Sequence, residues 1–224
     1  MEERDVLITS ATKSTNNIKI ERNPSITSPI EYTYLIRNWF SETELKRFER
    51  ELHKIPWKMQ QVEYKGELFI PNRETIGMSD TYELTQNSST FAIMYPQVIY
   101  DIRKGIKSLI RNYLDDIPEP VMNYCWGNRY RDGNDSIDEH KDDEDWHLEG
   151  DPIISISFGT SRYFDIHDEI DRIKRLELHH GDILIMKQEF HEKYYHSIPA
   201  QEEITKMRIN LTFRSLTRPP KLEE

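Results

Sequence analysis

The sequence predicts an α+β domain that is mainly β, with two early helices supporting a sandwich or jelly roll of short strands. Three observations carry this. Two windows before residue 115 repeat apolar residues at helical spacing. Seven short apolar or alternating segments follow residue 120, separated by Gly, Pro or acidic turns. Helices do not alternate with these strands, which argues against a doubly wound parallel sheet.

Residues 1–30 are rich in Ser, Thr, Asn and Ile, contain Pro24 and Pro29 and show no sustained period, so a flexible N-terminal tail is expected. Tyr32 to Ile36 reads as a strand. Ser41 with Glu44 three residues on is a capping box that opens a helix through Leu45, Phe48, Leu52 and Ile55. From Met59 to Phe91 the pattern is short and strand-like, with Lys65-Gly66 turning between Gln61–Tyr64 and Glu67–Ile70. Pro96 fits the first turn of a second helix, whose stripe is Val98, Ile99, Ile102, Ile106, Leu109, Ile110 and Tyr113. The predicted strands after it are Met122–Arg131, Ile153–Phe158, Tyr163–His167, Arg175–Leu178, Ile183–Met186, Lys193–Ser197 and Arg208–Phe213. The expected organisation is one domain over residues 31–218, with helices in 31–120 and the β core in 121–224.

The 224 residues suffice for a sizeable core, although apolar content is only 36% and charged content 31%. No apolar run approaches the ~20 residues that span a bilayer, and Met1–Asp5 lacks the basic start of a signal peptide. The single Cys125 rules out a disulfide framework and a Cys-rich zinc site. An intracellular protein, nuclear or cytoplasmic and monomeric, is expected, with no membrane partner. A net charge of -10 argues against non-specific coating of nucleic acid, without excluding a local basic groove. Eight carboxylates crowd into Asp132–Asp145, which by themselves describe a solvated loop.

Within that acidic run, His140 and Asp142 are two residues apart on an extended segment and point to one side. With a distant second His they make a 2-His-1-carboxylate set, which holds Fe(II) and leaves positions open; zinc is the chemical alternative. His196, in Tyr194-Tyr195-His196-Ser197, is the candidate, against His147, His167, His179, His180 and His191. Arg208, Asn210, Thr212 and Arg214 alternate along one strand and share a face. An inward face so charged requires a partner, and a dicarboxylate would pair both guanidiniums. The bland alternatives are a satisfied strand histidine and an exposed charged face.

Six motifs then stand in order: Asn128-x-Tyr130-x-Asp132-Gly133, His140-x-Asp142-Asp143-Glu144, Pro152 to Gly159, His180 to Met186, Tyr195 to Pro199, and Arg208 to Arg214. Together they resemble the AlkB family of Fe(II)/2-oxoglutarate dioxygenases, close to its animal DNA-repair branch, over residues 120–216 and more loosely over 35–120. The resemblance implies a double-stranded β-helix, and Fe(II), 2-oxoglutarate and O2 as cofactors. It implies that His140, Asp142 and His196 bind iron. Asn128, Tyr130, Arg208, Thr212 and Arg214 would hold 2-oxoglutarate, one Arg on each carboxylate. Asp143, with Glu144 behind it, would face the damaged base. The reaction implied is oxidative removal of N-alkyl groups from N1-methyladenine and N3-methylcytosine in nucleic acid, in DNA repair.

Two departures from the family pattern matter. Where duplex-acting members carry a basic loop, this chain has His167-Asp168-Glu169-Ile170-Asp171-Arg172-Ile173-Lys174, and acidic groups do not grip phosphate. Single-stranded or flexible nucleic acid is therefore the expected partner. The family's nucleotide-recognition lid survives only as Pro71-Asn72-Arg73 and Ile76-Gly77, with Tyr64 as a candidate base platform or wedge, or else ordinary cross-strand packing. The alternatives are an RNA demethylase, a protein or small-molecule hydroxylase with the same iron core, and a non-enzymatic jelly-roll binding module.

Overall fold

A computed structural model describes residues 22–64, 67–81, 92–143 and 146–217. The first strands are β1 (Ser25–Thr27) and β2 (Thr33–Arg37), followed by helix α1 (Glu42–Leu52). The ribbon β3 (Val62–Tyr64) and β4 (Glu67–Phe69) leads into β5 (Glu74–Ser79) and β6 (Ala92–Met94). After helix α2 (Gln97–Tyr113) come β7 (Tyr124–Tyr130), β8 (Ile137–His140), β9 (Ile153–Gly159), β10 (Arg162–His167) and β11 (Arg172–Leu178). The chain continues through β12 (Ile183–Met186), helix α3 (Gln188–Lys193), β13 (Tyr195–Ile198) and β14 (Arg208–Arg214).

Two sheets form the sandwich. The larger has the order β1-β2-β12-β9-β14-β7-β5-β6, the smaller β11-β10-β13-β8. Strands 9, 12 and 14 alternate so that both of their faces are covered. Ile154, Ile156 and Phe158 of β9 join Leu211 and Phe213 of β14 in the core beneath the helices, while Ser155 and Ser157 turn the other way. Helix α1 opens on the expected capping box: the Ser41 hydroxyl accepts from the Glu44 amide at 3.3 Å, and the Glu44 carboxylate accepts from the Ser41 amide at 2.9 Å. Phe48 from α1 meets Phe158 edge to face at 6.5 Å. In α2 all the predicted stripe residues from Val98 to Ile110 are buried, and Pro96 is the N-cap, one step outside the first turn.

The fold corrects several expectations. Ser25–Thr27, within the stretch expected as a tail, pair with β2 as an edge strand. Arg22 bonds Glu44 at 2.7 Å, pinning the chain to the start of α1. Helix α3, too short to show a period, lies between two predicted strands and takes Lys193, expected as the first residue of the second. Ile76-Gly77 is no lid: it lies inside β5, paired with β7, and Ile76 is fully buried. The lid region therefore contributes β5 and β6 to the main sheet. The predicted Lys65-Gly66 turn lies outside the described residues, although β3 and β4 on either side pair as expected. Among the described residues, no helix is long and apolar enough to cross a membrane.

Gly133 sets the loop that precedes β8. Its amide donates to the Ile204 carbonyl at 2.7 Å and its carbonyl accepts from the Gln201 amide at 2.8 Å, so the two backbones touch. A Cβ there would collide with the Gln201 carbonyl oxygen, which is backbone and cannot swing away. Gly133→Ala is expected to cost about 2 kcal/mol or more of stability in urea unfolding, from overpacking.

Candidate active site

The small sheet brings the first cluster together through its register. His196 of β13 stands directly across from His140 at the end of β8, which places the two imidazole centroids 4.2 Å apart. Asp142, two residues beyond His140, turns its carboxylate toward both rings, 3.9 Å from His140 Nε2 and 3.8 Å from His196 Nε2. The three ligand atoms lie within 4.8 Å of one another. His140 Nδ1 lies 2.8 Å from the Asp138 carbonyl, which can only accept, so Nδ1 carries the proton and Nε2 keeps its lone pair. Phe164 stacks on the His196 ring at 5.2 Å and 18°, fixing its plane.

Burial lowers the pKa of His140, against the pull of Asp142 and the bond to Asp138. Burial, with His140 alongside, brings His196 well below the usual imidazole range. Burial acts to raise Asp142, but Arg214, donating to it at 2.6 Å, together with His196, His140 and His191 around it, outweighs this and holds the carboxyl well below its ordinary range. The set is thus two neutral imidazoles and one carboxylate, the donor chemistry that suits a divalent metal such as Fe(II) or zinc.

These groups open into a cavity of about 460 Å³ between the sheets. Arg208 lines it, 1% exposed, with Tyr130 beneath its guanidinium at 5.3 Å. Its NH2 group donates to Ser157 Oγ at 2.9 Å, while Nε and NH1 are buried with no acceptor among the described residues. Burial, with Arg162 nearby, brings its pKa down to about 10, so it is charged at neutral pH. A buried cation with two unused donors fits an anionic carboxylate. Thr212 donates to Asn210, and Asn210 to Ser155 at 2.6 Å, extending the polar floor.

The structure brings His140, Asp142, His196, Asn128, Tyr130, Arg208, Thr212, Arg214 and Arg73 to this one cavity. Arg214 and Arg73 also bond within the chain. The bond resolved for Arg214 goes to Asp142, because β14 carries it beside the triad. Arg73 is 6% exposed, and its Nε donates to Asn128 rather than standing on an open lid. Asp143 is exposed and outside the cavity lining. Glu144 and the Tyr64 side chain lie outside the described residues. Sequence reasoning passed over Ser155, Ser157 and Phe164; the Ser-x-Ser alternation within an apolar strand was the available signal. Of the competing histidines, His191 is buried 5.9 Å from His196, and burial lowers it to about 4. His179 and His180 bond Ser161 and the Gly159 amide, away from the cavity.

Residues 32–214 match the model of the 2OG-Fe(II) oxygenase superfamily. The chain is 37% identical to human DNA oxidative demethylase ALKBH2 over 116 residues, 48% of this chain and 44% of that protein. Bovine DNA oxidative demethylase ALKBH2 is 29% identical over 195 residues, 83% of this chain and 68% of that one. Human alpha-ketoglutarate-dependent dioxygenase alkB homolog 3 is 32% identical over 124 residues, 50% of this chain and 43% of that protein. The chain thus spans less than half the length of both human relatives. The solved structure of OsALKBH1 shares the fold, with a TM-score of 0.58 at 14% identity over 85% of this chain and 99% of that one.

Two outcomes test the geometry. Mn(II) should raise the thermal midpoint of the unaltered protein and leave that of His196→Ala unmoved. Arg208→Met should leave the ligand-free protein equally stable or stabler by about 1 kcal/mol in urea unfolding, because it removes a buried cation with no carboxylate bonded to it and two donors unused.

Proposed function

The chain belongs to the 2OG-Fe(II) oxygenase superfamily, on its AlkB side, and on that premise we propose that it oxidatively dealkylates nucleobases in DNA repair. N1-methyladenine and N3-methylcytosine are the substrates, and Fe(II), 2-oxoglutarate and O2 the cofactors. The observation that carries this reading is Arg208: a buried guanidinium with two unused donors, opening into the same cavity as two imidazoles and a carboxylate.

His140, Asp142 and His196 would hold the iron, and Arg208, Asn128, Tyr130, Thr212 and Arg214 the 2-oxoglutarate. When bound, iron with 2-oxoglutarate and O2 supplies the oxidation that hydroxylates an N-alkyl carbon, giving succinate, carbon dioxide and, from the unstable product, formaldehyde. The chain's own share is positional. The Asp138 carbonyl keeps His140 Nε2 aimed inward, and Arg214 keeps Asp142 ionised. Phe164 stacks behind His196 and holds its ring plane. Asp143, exposed beside the triad, with Glu144 next to it, would accept hydrogen bonds from a flipped-out base, and Tyr64 would stack on it. We keep the expectation of a monomer acting inside the cell, in nucleus or cytoplasm.

A preference for single-stranded or flexible nucleic acid is supported by the turn between β10 and β11. Asp168 there accepts from the amides of Ile170 and Asp171, so an acidic, tightly folded turn stands where a phosphate grip would need Lys or Arg. Duplex DNA is the second reading, favoured by exposed Leu68, Phe69 and Ile70 at 61%, 45% and 66%, which offer apolar wedges for a base step.

The deciding assay supplies Fe(II), 2-oxoglutarate and O2 with matched single- and double-stranded oligonucleotides bearing one N1-methyladenine. Formaldehyde release is expected, faster from the single strand and absent with Asp142→Ala. Equal or faster release from duplex would overturn the strand preference. Succinate without formaldehyde would move the substrate to a protein or small molecule, and neither product would leave a binding module.

A further inference from the structure

We propose that Arg73 is a positioning residue for the co-substrate: its guanidinium fixes the amide of Asn128 so that the two Asn128 N–H donors face the cavity. The inference rests on the reading of Asn128 as a 2-oxoglutarate contact, and it replaces the expectation that Arg73 belongs to a base-recognition lid.

Arg73 Nε donates to Asn128 Oδ1 at 2.7 Å, and both side chains are buried, 6% and 5% exposed. A guanidinium has donors only, so the atom of Asn128 that meets it must be the carbonyl oxygen. An amide so anchored cannot flip, and its Nδ2 protons are left for the cavity that Asn128 lines. Donors are what a carboxylate or keto oxygen requires. With Gln or water in place of Arg73, the amide would be free to turn its oxygen toward the cavity and present an acceptor to an anion.

Arg73 also reaches beyond Asn128. Its NH1 donates to the Ser136 carbonyl at 3.2 Å, in the stretch that leads to β8 and His140. One side chain therefore ties together the loop after the β3–β4 ribbon, the β7 wall and the approach to the metal set. The acceptors bonded to Arg73 are both uncharged, while Asp135 and Asp138 act on it through space.

The test measures 2-oxoglutarate binding by tryptophan fluorescence in the anaerobic Mn(II)-loaded protein, with no nucleic acid present. Arg73→Gln is expected to weaken binding about tenfold, the scale of a lost charge-assisted hydrogen bond. In an Asn128→Ala background the same change should do nothing further, because Arg73 acts through Asn128. Arg73→Lys, which keeps the charge, serves as the milder variant, and an unchanged Mn(II)-dependent rise in thermal midpoint certifies the fold. The KM for the methylated oligonucleotide should stay within about twofold of the unaltered protein. Unchanged 2-oxoglutarate affinity in both variants would overturn the proposal. So would additive losses with Asn128→Ala, or a rise in oligonucleotide KM alone. Failure of the unaltered protein to bind 2-oxoglutarate would instead remove the functional reading on which it rests.

Discussion

The bond from Arg214 to Asp142 is the constraint on which the rest of the site depends. It crosses from β14 in the large sheet to the loop beyond β8 in the small one, at 2.6 Å, with both groups largely removed from water. A buried carboxylate alone would take up a proton, and a buried guanidinium alone would have no anion. Arg214 helps to keep Asp142 ionised and Asp142 gives the guanidinium its anion, so Asp142 remains a carboxylate between two imidazoles that burial keeps neutral. A donor set of this kind has one negative charge and three lone pairs converging on one point, which is the electrostatic definition of a divalent metal site.

A strand that must carry such charge can do so only if its other face secures the sheet. Ile209, Leu211 and Phe213 belong to the apolar core, which continues through Ile154 and Ile156 into α1 and α2. The helices thus act as backing: they bury the outer faces of β9 and β14 so that the inner faces can hold Ser155, Ser157, Asn210 and the arginines. Phe48 against Phe158 is the contact by which α1 meets the strand bearing the two serines. Loss of that backing would loosen the polar face without touching any polar residue.

Charge is distributed in two opposing ways over the molecule. The chain as a whole is acidic at -10, yet among the described residues the buried charges lining the cavity are Arg73, Arg208 and Arg214 against Asp142, with Asp138 and Glu139 lining its exposed part. The interior is built to receive a small anion, whereas the exterior, including the turn after β10, does not attract a polyanion over a broad area. A long-range pull on any polyanion is therefore weak.

The β character, both large helices, the capping box at Ser41 and the shared face of Arg208, Asn210, Thr212 and Arg214 were legible in the sequence, because periods of 3.6 and 2 and local capping chemistry depend only on neighbours along the chain. The His140-x-Asp142 pair was legible for the same reason, and the order of six motifs pointed to the family. The edge strand at Ser25–Thr27 and helix α3 were not legible, since three to six residues carry no usable period. Ile76-Gly77 was misplaced because a short strand is assigned by the partner it pairs with, here β7, fifty residues away. The sequence by itself determined which side chains could bind a metal and an anion. Only the tertiary structure decided that His196 is the second imidazole, that Arg214 meets Asp142, and that Arg73 is buried on Asn128. Those choices are made by strand register between segments distant in sequence, and by the requirement that each buried polar group find a partner.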